Sequence, residues 1–84
     1  MAPDGVLDLH PIPPKQVKDL LVEYIASCRT AGVLKLRIIH GKGVGHLRRT
    51  VHAVLKDHPH VDSYRLGGHG EGSWGATLVE LQPR

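Results

Sequence analysis

The 84-residue chain contains no Phe, one Trp, two Tyr, one Met and one Cys. With so little aromatic bulk the core has to be built from Leu, Val and Ile, which favours a small sheet covered by helices. The lone Cys28 excludes an internal disulfide. Neither a basic-then-apolar leader nor a long apolar run is present, so the expectation is a reducing, cytoplasmic setting and no membrane role. A nucleotide fingerprint is missing as well. The run Gly41-Lys42-Gly43-Val44-Gly45-His46 fits neither G-x-x-x-x-G-K-[ST] nor G-x-G-x-x-G, because His46 stands where the latter needs its third glycine. The expectation is therefore no nucleotide cofactor in this domain.

What is present is 40% hydrophobic and 23% charged residues, the balance of one small domain that buries about 60–65% of its unfolded surface. The formal charge is +3 with the seven His taken as neutral. Protonating them raises it, so affinity for a polyanion should grow as pH falls toward about 6. A modest basic excess serves solubility equally well, and charge alone leaves both readings open.

Residues 1–5 read as an irregular arm or linker and residues 6–84 as a single domain. Val6-Leu7-Asp8-Leu9-His10 alternates in the period of a half-buried strand, which puts Asp8 and His10 on one face. Pro11-Ile12-Pro13-Pro14 stops it. Val17, Leu20, Leu21, Tyr24, Ile25 and Cys28 then recur at helical spacing as an apolar stripe, ended by Gly32. Val33 to Ile39 reads as a second strand. The helix after the next glycine turn should bury Leu47, Val51, Val54 and Leu55 while exposing His46, Arg48, Arg49, His52 and Lys56. Val61 to Leu66 and Ala76 to Leu81 read as a hairpin joined by the glycine-dense loop Gly67–Gly75. This order predicts an α/β two-layer sandwich, β-α-β-α-β-β, with a mixed four-stranded sheet and right-handed, parallel first crossovers.

The chemistry centres on Leu36 to Arg49, a β-branched run that passes through Gly41, Gly43 and Gly45 into a helix. Such a turn aims the first N–H groups of the helix, and its dipole, at an anion. Lys42, Arg48 and Arg49 reinforce that preference and suit phosphate contacts that position a backbone without reading sequence. A solvated helix face explains Arg49 equally well. Ligands of open α/β sheets collect beyond the carboxyl ends of parallel strands, where Asp8, His10 and His40 would converge if the first two strands are neighbours. Asp8 and His10 suit an acid/base pair, or else a polar strand face with Asp8 capping a turn. His40 would donate to a leaving oxygen or simply hydrogen-bond a loop carbonyl. Trp74, in the glycine-rich loop, would stack on an unpaired base, worth about 1–3 kcal/mol, or fold back over the core. The remaining histidines show no metal-site spacing, although His58 and His60 offer an adventitious pair.

Taken in order, Leu7-Asp8-Leu9-His10, then His40-Gly41-Lys42-Gly43, then Gly75-Ala76-Thr77-Leu78-Val79-Glu80-Leu81 resembles the small MutS-related (Smr) domain. The run Ile39 to Arg48 is most similar to the form at the C-terminus of the second bacterial MutS paralogue. The resemblance spans about Val6 to Leu81. It implies a fold similar to the C-terminal domain of translation initiation factor 3 and a structure-directed endonuclease that nicks DNA or cleaves RNA. In larger family members this domain is attached to modules of DNA repair and recombination or of the ribosome, so it also implies branched DNA, structured RNA or, through a full-length protein, the ribosome as partners. The family's Asp-x-His element falls on Asp8 and His10, its His-Gly-x-Gly element on His40, Gly41 and Gly43, and its following basic position on Arg48. Pro11 departs from the Gly that many members carry after the first motif, which stiffens the turn beyond His10.

Two functions follow. An endonuclease would seat phosphate on the glycine turn with Lys42 and Arg48, and use Asp8, His10 and His40 for proton transfer. A ribose 2′-OH nucleophile needs no metal, whereas water calls for a divalent cation such as Mg or Mn near Asp8. A non-catalytic module would hold branched DNA or ribosomal RNA at the same anion site. The single carboxylate favours the second reading in one respect, since it equips the site poorly for two-metal chemistry.

Overall fold

Alternation along the central strands determines which side of the sheet is covered. In β2 (Lys35–Ile39) Leu36 and Ile38 are buried while Lys35 and Arg37 face solvent, and in β4 (Ala76–Leu81) Val79 and Leu81 are buried while Glu80 is exposed. The inward set joins Leu9 and the apolar stripes of two helices, α1 (Pro14–Thr30) and α2 (His46–Asp57), in one core. The computed structural model describes residues 3–43, 45–68 and 75–83. Among these, β1 (Val6–Asp8) and β3 (Val61–Leu66) complete a four-stranded sheet of order β1-β2-β4-β3. β1 runs parallel to β2, and β4 lies antiparallel to both β2 and β3. This is the expected β-α-β-α-β-β order and mixed sheet.

Helix α1 buries Val17, Leu21, Ile25 and Cys28, each at 0% exposure, and Leu20 and Tyr24 pack beside them. Each such burial contributes roughly 1.5–3 kcal/mol for a large aliphatic side chain. The helix ends where the sequence places its stop. Gly32 N–H donates to Arg29 O at 3.1 Å and Val33 N–H to Cys28 O at 2.8 Å, the paired bonds of a Schellman motif that satisfy two otherwise orphaned carbonyls. Cys28 sits in the core, where burial pushes its thiol pKa up and leaves it unreactive.

Two strands are shorter than their periodicity suggests. β1 stops at Asp8, although Leu9 N–H still donates to Ile39 O at 2.8 Å, because His10 already turns away. β2 begins at Lys35 rather than Val33, since Val33 is engaged in capping α1. No helix among the described residues is long and apolar enough to cross a membrane.

Candidate active site

Register brings the motifs together. Asp8 of β1 pairs with Ile39 of β2, and Ile39 with Ala76 of β4, so the residues just beyond these positions meet at one sheet edge. His40 N–H and Gly41 N–H both donate to Gly75 O, each at 2.9 Å, which fastens the His40–Gly41 corner to the start of β4. The approach is close. A Cβ built on Gly75 would lie 3.3 Å from Lys42 Cγ, and one built on Gly41 would lie 3.8 Å from His10 Cβ. The turn itself requires glycine at Gly41 (φ +85°) and Gly45 (φ +91°), a region that other residues seldom adopt. Gly43, grouped with them in the sequence reading, has neither a positive φ nor a neighbour that excludes a side chain.

Asp8 and His10 form the exposed part of the site. Asp8 Oδ1 accepts the His10 backbone N–H at 3.0 Å and stands 2.6 Å from His10 Nδ1. A carboxylate only accepts, so the bond assigns the proton of neutral His10 to Nδ1 and leaves Nε2 as a free base. Hydrogen bonding from the His10 side chain, with its backbone N–H second, holds the Asp8 carboxyl below its ordinary range. The two side chains are 44% and 63% exposed, so a substrate can reach them.

His40 is placed differently. It is 4% exposed and turned inward, with both ring nitrogens engaged, Nδ1 at 3.0 Å from Gly41 O and Nε2 at 2.8 Å from Thr77 Oγ1. Of the two readings offered for it, the loop-carbonyl bond is the one present in this conformation. Thr77, fully buried, also meets His52 Nε2 at 2.7 Å. His52 was expected on the exposed face of α2, but it is half-buried, its ring 5.1 Å from that of Tyr64 and 6.1 Å from that of His40. Burial first, then the charges of His40 and Arg48, lowers its pKa.

The basic residues surround the turn. Helix α2 starts at His46 with Gly45 as its N-cap, carries no side-chain cap and has no acidic residue in its first turn. Arg48 folds back toward this terminus, since a Cβ on Gly45 would lie 3.1 Å from its Nη2. Lys42 and Arg49 are exposed. Trp74 and His69 lie outside the described residues. Among the described residues no three His, Cys, Asp or Glu side chains gather as a metal site. Among the described residues Asp8 is the one carboxylate of this edge, with an oxygen engaged by His10, so the described donors do not fit a resident divalent cation.

Sequence reasoning missed Thr77 and His52. Thr77 is a polar residue at an inward position of β4, between Ala76 and Leu78 in an otherwise apolar run, and that irregularity was the available clue.

A family model described as the Smr domain matches residues 7–82. The chain belongs to the Smr domain family. Endonuclease MutS2 of Clostridium novyi is 50% identical over 60 residues, covering 71% of this chain and 8% of that protein. Endonuclease MutS2 of Clostridium botulinum (strain 657 / Type Ba4) is 40% identical over 79 residues, covering 94% of this chain and 10% of that protein. The chain thus spans a tenth or less of the length of these relatives. In structure, the Smr domain of Thermus thermophilus MutS2 superposes with a TM-score of 0.87 at 31% identity, covering 93% of this chain and 98% of that one. YdaL of Escherichia coli, a stand-alone small MutS-related protein, gives 0.85 at 26% identity, covering 95% of this chain and 66% of that one. These similarities identify the chain as an Smr domain of the kind found in MutS2-type endonucleases.

Proposed function

We propose that this Smr domain cleaves nucleic-acid phosphodiester bonds by acid/base chemistry at His10, acting on branched DNA or structured RNA. The observation that carries the reading is the exposed Asp8–His10 pair, 2.6 Å apart, beside the Gly41 corner. Asp8 fixes the Nδ1–H tautomer, and His10 Nε2 takes the proton of the nucleophile. Lys42, Arg48 and Arg49, with the backbone of Gly41, Gly43 and Gly45 and the uncapped start of α2, seat the phosphate. On RNA the ribose 2′-OH becomes the nucleophile on losing its proton to His10; on DNA, which has no 2′-OH, the nucleophile is water. His40 supports this from below by holding the Gly41 carbonyl.

One observation favours a second reading, a binding module without catalysis. Cleavage needs a base and an acid, and both nitrogens of His40 are committed within the protein.

The test is cleavage of supercoiled plasmid and of a structured RNA in parallel, each with EDTA or with Mg²⁺ or Mn²⁺, alongside identically purified His10→Ala. Cutting by the parent that disappears in the variant supports the nuclease. Equal cutting by both, or none, with binding retained, supports the binding module.

A further inference from the structure

The hydrogen bonds under the turn have only one consistent set of proton positions when both histidines are neutral. Gly41 O can only accept, so His40 Nδ1 carries a proton and its Nε2 is an acceptor. The Thr77 hydroxyl therefore donates to His40 Nε2, and its oxygen receives the Nε2–H of His52. The order is His52 Nε2–H to Thr77 Oγ1–H to His40 Nε2, then His40 Nδ1–H to Gly41 O. His52 Nδ1 has no hydrogen-bond partner among the described residues, and it is the open end of the chain.

We infer that His52, Thr77 and His40 form a one-proton relay that carries charge from the α2 surface to the underside of the Gly41 turn. A proton from solvent binds His52 Nδ1. His52 gives its Nε2 proton to Thr77 Oγ1, and Thr77 passes its original hydroxyl proton to His40 Nε2. His52 is again neutral, now as the Nδ1–H tautomer, Thr77 is unchanged, and His40 holds the positive charge. Its bond to Gly41 O becomes charge-assisted, which tightens the turn.

The arrangement takes one proton and resists a second. With both histidines charged, Thr77 Oγ1 would receive two donors and its own hydrogen would lose both ring acceptors. Two cations would then face each other with ring centroids 6.1 Å apart. Among the described residues the other groups against the pair are Arg48, on the same helix as His52, and Tyr64, from β3; neither is an anion. That the delivered charge strengthens phosphate binding rests on the reading of the glycine turn as a phosphate seat. The relay does not depend on that reading.

Heteronuclear NMR of the histidine side chains in the full chain, followed through a pH titration without nucleic acid, tests the relay separately. Expected at high pH are His40 as the Nδ1–H tautomer and His52 as Nε2–H. On acidification, uptake of one proton should charge His40 and convert His52 to Nδ1–H in step. Thr77→Ser should keep this coupled exchange, and Thr77→Val should lose it, leaving the two rings to titrate independently. His52 as Nδ1–H at high pH, or independent titration in the parent, would overturn the relay. The tautomers of the parent decide the matter even if Thr77→Val does not fold. Loss of nucleic-acid binding or cutting with the coupled titration intact would instead overturn the functional reading.

Discussion

Gly75 lies so close to Lys42 that a Cβ on the former would come within 3.3 Å of the latter's Cγ, while its distances to Gly41 C and Cα, 3.7 Å, remain ordinary. Gly75→Ala therefore strains a flexible side chain more than the backbone. We expect unfolding free energy to change by less than about 1 kcal/mol. Lys42 should be displaced and affinity for oligonucleotide should fall. Denaturant melts and a binding titration on the same preparation check both halves.

Asp8→Asn replaces a carboxylate, which can only accept, with an amide that can also donate, so the His10 tautomer is no longer fixed while the exposed turn stays in place. Cleavage should drop by about 10²–10⁴-fold, the worth of a positioned general base, with binding nearly unchanged. The pH dependence has a definite sign. Hydrogen bonding from His10 holds the folded Asp8 carboxyl below its ordinary value of 3.8, so the pairing stabilises the fold above that value and is lost as pH falls through the folded pKa. Denaturant melts repeated from neutral pH into acid should show no loss from this group until the pH approaches that range.

Arg48→Ala should weaken oligonucleotide binding to a similar degree for every sequence and lower the log–log salt slope by about 1, because it removes one phosphate contact without touching base readout. An unchanged slope would take Arg48 out of the phosphate seat. Titrations at several ionic strengths measure it.

Tyr24 tethers the N-terminal arm. Its hydroxyl accepts Gly5 N–H at 3.1 Å and donates toward Val6 O at 3.1 Å, with Asp4 Oδ1 also near at 3.3 Å. Tyr24→Phe should cost about 1 kcal/mol in unfolding free energy. Burial raises the phenol pKa to about 12, so the tether is intact below the unfolded value near 10 and is lost as pH rises through the folded one. Phenolate absorbance followed by alkaline titration should show one tyrosine ionising late.

Ile38 is fully buried on the core face of β2. Ile38→Ala should cost about 2–5 kcal/mol and lower Tm by several degrees for each kcal/mol, as thermal denaturation would show.

The elements were legible because apolar periodicity is strong where a face is buried. The stripe from Val17 to Cys28, the alternation through Leu36 and Ile38 and the glycine stop at Gly32 each carry their own physical reason. Asp8 and His10 were legible as partners because residues two apart on a strand share a face. The inward turn of His40 was not, since the sequence offers a histidine at a strand end and no indication of which way it points. His52 lies on a polar helix face by spacing, and only the packing of α2 beside Tyr64 and Thr77 draws it inward. The insertion of β4 between β2 and β3 is likewise a property of tertiary pairing. It is this insertion that puts Thr77 next to His40.

Strand β1 is three residues long, pairs on one side only and is joined to β2 alone. The acid/base pair therefore rides on the least anchored part of the sheet, whereas the His40 corner is fastened to its centre. Peeling of that one edge would take His10 away from Gly41 and leave the helices and the other three strands in place, at a free energy well below that of global unfolding. Tension drawn through Asp4 and Gly5, which the Tyr24 hydroxyl holds, would act on this edge before it reached the rest of the sheet.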